Sequence, residues 1–373
     1  MSKARDLPDL AKNANDRLDD VATSDGALSH RNLIINGAMQ VSQRGTSFSS
    51  LSTSQFCLDR FSVDIGGGGA ITVDQSTTTP DDFKNSMKLT VSTVDSSLAA
   101  ADAYRSTQSI EGQNIAHLNW GTSSAKDVTL SFWVRSSVTG TYGLGLANSA
   151  ETENYVAEYT INTADTWEKK TINIDGPTSG TWLTTNGVGI GLRFDVGSGT
   201  NYNGTAGSWQ TTSSKVYRTS SCVNWISTAS ATFYITGVQL EVGDTATPFE
   251  HRSYGDELAR CQRYFEKREY SGGYQHVCIT VNVDTTLVRG DIYFNTEKRA
   301  TPTLSGSSAG TWRVNAFAND ATANAISFNT TEVNALRIDA TRGSGTHVAR
   351  EASYINVENA SPNEAYWQAD AEL

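Results

Sequence analysis

Apolar and polar residues alternate with a period of two over long stretches of this chain. Val128, Leu130, Phe132 and Val134 alternate with Asp127, Thr129, Ser131 and Trp133, and Val188 to Val196 alternates with Gly187, Gly189, Gly191, Arg193 and Asp195. Alternation of this kind predicts strands with one buried face. Phe233 and Ile235 share one phase and Val238, Leu240 and Val242 the other, so a β-bulge is expected near Gly237. Glycine-rich stretches at 66–69 and 197–207 read as loops. Residues 31–250 therefore predict a β-sandwich. Val277, Ile279, Val281 and Val283, and then Leu336, Ile338 and Ala340, resume the period of two. Residues 270–373 predict a second, smaller sandwich.

Two segments have a helical period instead. Leu7, Leu10, Ala14, Leu18 and Val21 fall on one stripe within residues 1–30, ended by Ser24-Asp25-Gly26. Such a helix buries its stripe only against something else, so it reads either as an attachment segment, with Leu7, Leu10 and Leu18 as its contacts, or as a frayed tail. Between the β regions, residues 251–269 predict a linker helix. Ser253 and Asp256 resemble a capping box, Asp256 and Arg260 stand four apart, and Tyr254, Leu258, Cys261 and Phe265 form a stripe. That stripe suits packing on a sheet or a seam between identical chains.

Composition adds limits. The chain has 373 residues, only 18% charged, with 31 glycines and 6 prolines, which fits two mainly β units joined by polar turns. A formal net charge of -11 argues against nucleic acid as a partner. No apolar run approaches membrane-spanning length, and the first residues lack the apolar core of a signal peptide, which predicts synthesis in a cytoplasm. Cys57, Cys222, Cys261 and Cys278 are far apart and read as reduced, packed thiols. The five histidines, at 30, 117, 251, 276 and 347, form no metal-binding spacing, and no phosphate-binding loop or nucleophile motif appears. Asp195, Asn201 and Asn203 could supply oxygens to a cation, but polar turns explain them as well. No cofactor, metal or catalytic residue is assigned.

Aromatic residues among Gly, Asn, Ser and Thr carry the one suggestion of binding. Trp182, Tyr202 and Trp209, then Trp312, Tyr366 and Trp367, are candidates to stack on sugar rings if exposed, or core residues if not.

The run Asn32-Leu33-Ile34-Ile35-Asn36-Gly37-Ala38-Met39, followed by Asp59-Arg60-Phe61, resembles the opening of jelly rolls of the carbohydrate-binding-module type. Similar openings occur in phage tail-fibre and minor virion proteins. Residues 130–135 and 233–241 resemble a central and a closing strand of that fold. The stretch from Thr247-Pro248-Phe249-Glu250-His251-Arg252-Ser253 to Leu258 and Cys261-Gln262-Arg263-Tyr264-Phe265 resembles the junction between such a jelly roll and a distal domain in phage fibres. The resemblance covers roughly residues 2–268. It implies a homotrimeric virion protein, non-enzymatic, anchored through its N-terminus to other tail or capsid proteins and meeting a host receptor, for which a surface glycan is the candidate. A head fibre, capsid decoration or tail adaptor without receptor contact shares these features. A polysaccharide depolymerase ranks behind both, because no β-helix repeat appears.

Overall fold

A computed structural model describes residues 31–270, 275–316, 319–357 and 365–373. The predicted attachment contacts Leu7, Leu10 and Leu18 lie outside the described residues. The chain divides into two compact units, one ending at Ser253 and the other beginning at Tyr254. Both are mainly β, as the alternation predicts.

The larger unit is built from two antiparallel sheets. The first has six strands in the order Ser47–Leu51, Ala70–Ser76, Ser86–Thr93, Thr232–Val242, Val128–Ser136 and Glu168–Ile174. The second has seven, in the order Trp209–Thr211, Glu153–Ile161, Gly140–Ala147, Val188–Asp195, Tyr104–Glu111, Ser62–Ile65 and Gln55–Phe56. The alternating apolar residues form one core between them. Phe132 of the six-stranded sheet meets Tyr159 and Phe194 of the seven-stranded sheet edge-on, both at 5.1 Å. Each such ring contributes about 1.5–3 kcal/mol by burial. The register of Thr232–Val242 against Val128–Ser136 slips between Thr236 and Gln239, so the expected bulge is present and both phases of that strand are buried.

The residues that carry the family resemblance prove to be fasteners. Asn32 Oδ1 accepts from the backbone N–H of Ile34 (2.9 Å) and Leu240 (3.1 Å), and its Nδ2 donates to the Val238 carbonyl (3.1 Å). Glu250 accepts from the Asn32 N–H at 2.8 Å, and Arg252 donates to the carbonyls of Asn32 and Ile34. Glu241 holds Thr247 through both backbone and hydroxyl, while Gln239 accepts from the Glu250 N–H. Asn36, in the left-handed region at φ 61°, ties the carbonyls of Val41 and Asp59. The two ends of the unit are thus tied into one hydrogen-bonded knot.

Residues 216–218 cover part of the outward face of the seven-stranded sheet. Tyr217 and Val216 lie against Gly145, whose missing side chain leaves room for them. Three ion pairs lie on this side: Arg218 with Asp195 at 3.7 Å, buried on both sides, and Arg105 with Asp64 at 2.7 Å and Arg193 with Glu151 at 2.6 Å, whose carboxylates are partly exposed.

The smaller unit opens with a helix, Tyr254–Gln262, shorter than predicted. The expected Asp256–Arg260 pair forms at 3.5 Å. Phe265 begins a strand instead of continuing the stripe. Strands Phe265–Tyr270, Ala365–Asp370 and Thr303–Gly306 form a three-stranded sheet. Six further strands close into a barrel in the order Gln275–Asn282, Leu287–Tyr293, Ala335–Arg342, Asn319–Asn329, Arg313–Ala316 and Ala352–Val357. Closure removes the free edges that an open sandwich would present. Lys298, fully buried, donates to Glu266 and to the carbonyls of Gln262 and Thr296, anchoring the turn after the second barrel strand.

Leu336, Ile338 and Ala340 point into the barrel as the alternation predicts. In Gln275–Asn282 the sense is reversed. Thr280 and Asn282 are buried, bonded through Ser353 at 2.8 and 2.6 Å, and Ile279 and Val281 face out. Cys57, Cys222 and Cys278 are free thiols, and burial pushes those of Cys57 and Cys278 up to about 12.

Candidate functional site

Strand Val128–Ser136 turns Val128, Leu130, Phe132 and Val134 into the core, so Thr129, Ser131 and Trp133 face outward. Trp133 stands opposite Lys169 on one neighbouring strand and Thr236 on the other. Beside it lies Gly237 at the bulge, with φ 63°. A side chain there would come within 2.7 Å of the Phe83 ring and 3.1 Å of Trp133, so two aromatic rings flank bare backbone. Among the bonds that hold the loop carrying Phe83 are those from the Thr236 hydroxyl to the Asn85 carbonyl and from the Thr79 hydroxyl to the Phe83 carbonyl, both 2.8 Å.

Phe249 and His251 complete the group from the segment after the closing strand. Their rings are 4.9 Å apart, and Phe83 lies 5.1 Å from Phe249 and 5.4 Å from His251. Around these rings opens a cavity of about 510 Å³, lined also by Asp81, Asp82, Ser131, Lys169 and Pro248. Phe83, Trp133 and Phe249 are half-buried and His251 is exposed. The volume is within the range of small-ligand clefts. Ring faces suit the C–H faces of a sugar, and carboxylates, an ammonium, a hydroxyl and an imidazole supply donors and acceptors for its hydroxyls.

The aromatic residues predicted from sequence fall elsewhere. Trp182 and Trp209 do meet, 5.3 Å apart, and each packs on Trp120, which the sequence reading missed, at 4.7 and 5.5 Å. Their indole N–H groups donate to backbone carbonyls: Trp120 to Lys126, Trp182 to Ser179 and Trp209 to Asp175. Trp120 and Trp182 are buried, and only Trp209 keeps part of its surface open. The trio pins loops to the edge strand Trp209–Thr211. Tyr202 is apart from them, stacked on Tyr217 at 4.9 Å, with its hydroxyl on the Ala101 carbonyl.

In the smaller unit, Trp312 and Trp367 are 0% and 1% exposed, which corrects their assignment as ligand contacts: both are core. Trp367 donates to the Tyr270 hydroxyl at 3.2 Å. Tyr366 is half-buried, with the Lys267 ammonium 4.9 Å from its ring centre. A second opening, about 580 Å³, is lined by Asp291, Tyr293, Asn329, Thr330, Thr331, Glu332 and Arg337, with Tyr293 exposed.

The helical stripe proposed as an oligomer seam is corrected in two places. Cys261 and Phe265 are buried within the smaller unit's own fold, the helix having ended before Phe265. Tyr254 is exposed and Leu258 half-buried. Asp195, weighed as a cation ligand, is enclosed against the Arg218 guanidinium, and among the described residues no group of three metal-ligating side chains forms. No helix among them is long and apolar enough to cross a membrane.

No protein-family model matches this chain, and no curated protein matches it. Among solved structures, the enzymatically active domain of bacteriophage CBA120 tailspike protein 4 is similar over 57% of this chain and 21% of its own, at 14% identity and a TM-score of 0.31. A TmCBM61 structure with β-1,4-galactotriose is similar over 57% of this chain and 99% of its own, at 11% identity and a TM-score of 0.29. A family 11 carbohydrate-binding module from Clostridium thermocellum, with a mixed-linked tetrasaccharide, gives 13% identity over 55% and 97%, with a TM-score of 0.28. The chain spans about a fifth of the tailspike chain's length. Likenesses this distant carry no argument about ligand or role.

Proposed function

We propose that this chain is a non-catalytic component of a phage virion, a homotrimeric tail fibre whose β units contact a host surface glycan. The observation that carries the glycan reading is the 510 Å³ cavity lined by Phe83, Trp133, Phe249 and His251, with Asp81, Asp82 and Lys169 around it. Flat apolar faces beside polar side chains are the two elements that a saccharide demands of a binding surface. The exposed Tyr293, among Asn329, Thr330 and Thr331, is a second, more polar platform in the smaller unit. Weak single sites of this kind gain strength when a trimer presents three of them.

The virion assignment is supported by the resemblance of residues 32–61 and 247–265 to phage fibre proteins. Phe249 and His251, from the second of these stretches, also line the cavity, so the junction segment has both a structural and a binding task.

Two measurements test the two halves. Replacing Trp133 by alanine removes one cavity wall from a half-buried outward position. Binding to the cognate glycan should fall at least about tenfold, or 1.4 kcal/mol, with the circular dichroism spectrum unchanged. Immunogold labelling of intact virions with antibody against residues 275–357 should mark fibre tips. Label spread over the capsid would replace the fibre reading with a head-fibre or decoration protein, and no label on particles whose epitopes are open would overturn the virion assignment.

A further inference from the structure

Seven large apolar side chains are exposed in the described residues, and six of them belong to the smaller unit. Three follow one another on the outward face of a single stretch: Ile279 at 80%, Val281 at 55% and Val283 at 43%. Val348, 62% exposed, lies at the same end, where its carbonyl accepts from Asn282. On the next strand Tyr354 stands directly opposite Ile279. The strand cannot turn this face inward by rotating, because its other face is committed. Thr280, Asn282 and Ser353 bond to one another inside the barrel, and their exposure would sacrifice those bonds. The arrangement is apolar outside and polar inside, the reverse of what water alone favours.

The flank of this stripe is a short ladder of charges on the two neighbouring strands. Arg289, directly opposite Val281, pairs with Asp339 at 2.7 Å, and Asp291 stands opposite Arg337. Two arginines and two aspartates cancel, in a chain whose formal net charge is -11. Identical acidic chains repel each other over most of their surfaces. Here two copies can approach without net repulsion, and a row carrying both signs offers the charges of a neighbouring copy opposite partners.

We infer that the barrel face made by Ile279, Val281, Val283 and Tyr354, edged by Arg289, Asp291, Arg337 and Asp339, is the surface through which copies of this chain associate. The inference rests on the homo-oligomeric part of the proposed function and assigns it a location. It moves the self-association surface from the helix after Ser253, where half of the expected stripe is buried, to the barrel wall.

The test is the mass of the full chain at micromolar concentration, by light scattering after gel filtration, for the wild type and two double variants. One is Ile279→Lys/Val281→Lys, which places two like charges on the stripe. The other is Ile279→Thr/Val281→Thr, which keeps the β-branched shape and serves if the lysine pair disturbs folding. The expected result is an oligomer for the wild type, a single-chain mass for the lysine pair, and dissociation at a concentration at least about tenfold higher for the threonine pair. An unchanged melting temperature shows that the fold is intact. A wild-type oligomer that persists in both folded variants would overturn this surface and leave the homo-oligomer standing. A wild type that runs as a single chain would overturn both.

Discussion

Asp195 shows how much one side chain can decide in an interior of this kind. Burial raises its carboxyl pKa from 3.8 to about 6, against the opposing pull of Arg218. The folded state therefore holds this proton more tightly than the unfolded chain does. No stability is lost below about pH 4, where both states are protonated; the loss grows as pH rises and is complete above about pH 6. Two pKa units correspond to about 3 kcal/mol at most. The difference in unfolding free energy between the wild type and Asp195→Asn should thus shift against the wild type by a few kcal/mol between pH 4 and 7. Taking the difference cancels the contributions of other carboxylates, such as Glu168, whose pKa is lowered to about 2. A flat difference would mean that Asp195 ionises freely in the folded state. Individual residues were also where sequence reading was least reliable. Trp312, among glycine and serine, and Trp367, among polar residues, look like loop platforms, yet tertiary packing encloses them. Trp133 was not among the candidates, although its place on the polar phase of an otherwise clean alternation marks it as outward-facing. Phe83 and Phe249 were not, because they reach the cavity from loops about 165 residues apart in sequence, and no local pattern encodes such a meeting.

At the scale of elements, the strands announced themselves through their period, and the bulge at Gly237 through the slip in it. The helix after Ser253 was legible at its start, where Asp256 and Arg260 pair, but not at its end. Tyr254, Leu258, Cys261 and Phe265 keep a helical spacing past the point where pairing with Ala365–Asp370 captures Phe265 into a sheet. Closure of the barrel was hidden for a similar reason: the pattern gives faces, while the pairing of the first and last strands is a long-range event. The knot that joins both ends of the larger unit is the element-level feature with the sharpest consequence. Asn32→Ala leaves the Ile34 and Leu240 N–H groups and the Val238 carbonyl without their buried partner. Unsatisfied groups of this kind cost about 1–3 kcal/mol each. Urea unfolding should show a loss of at least about 2 kcal/mol, and a change within error of zero would mean that the knot is ornamental.

In the proposed reading, two kinds of surface divide the work across the molecule. The six-stranded sheet of the larger unit carries rings set in a polar cavity, suited to a hydrated ligand that comes and goes. The barrel wall carries an unbroken apolar stripe with balanced charges, suited to a lasting contact with its own kind. The proposed fibre would use the first to recognise and the second to assemble. The central claim is recognition, and its most direct test is a glycan array of bacterial surface polysaccharides probed with the full chain and with Trp133→Ala side by side. The account predicts selective binding by the wild type and its loss in a folded variant. Equal binding by both would take the site away from the aromatic cavity, and no binding by the wild type in its oligomeric form would contradict the glycan reading altogether.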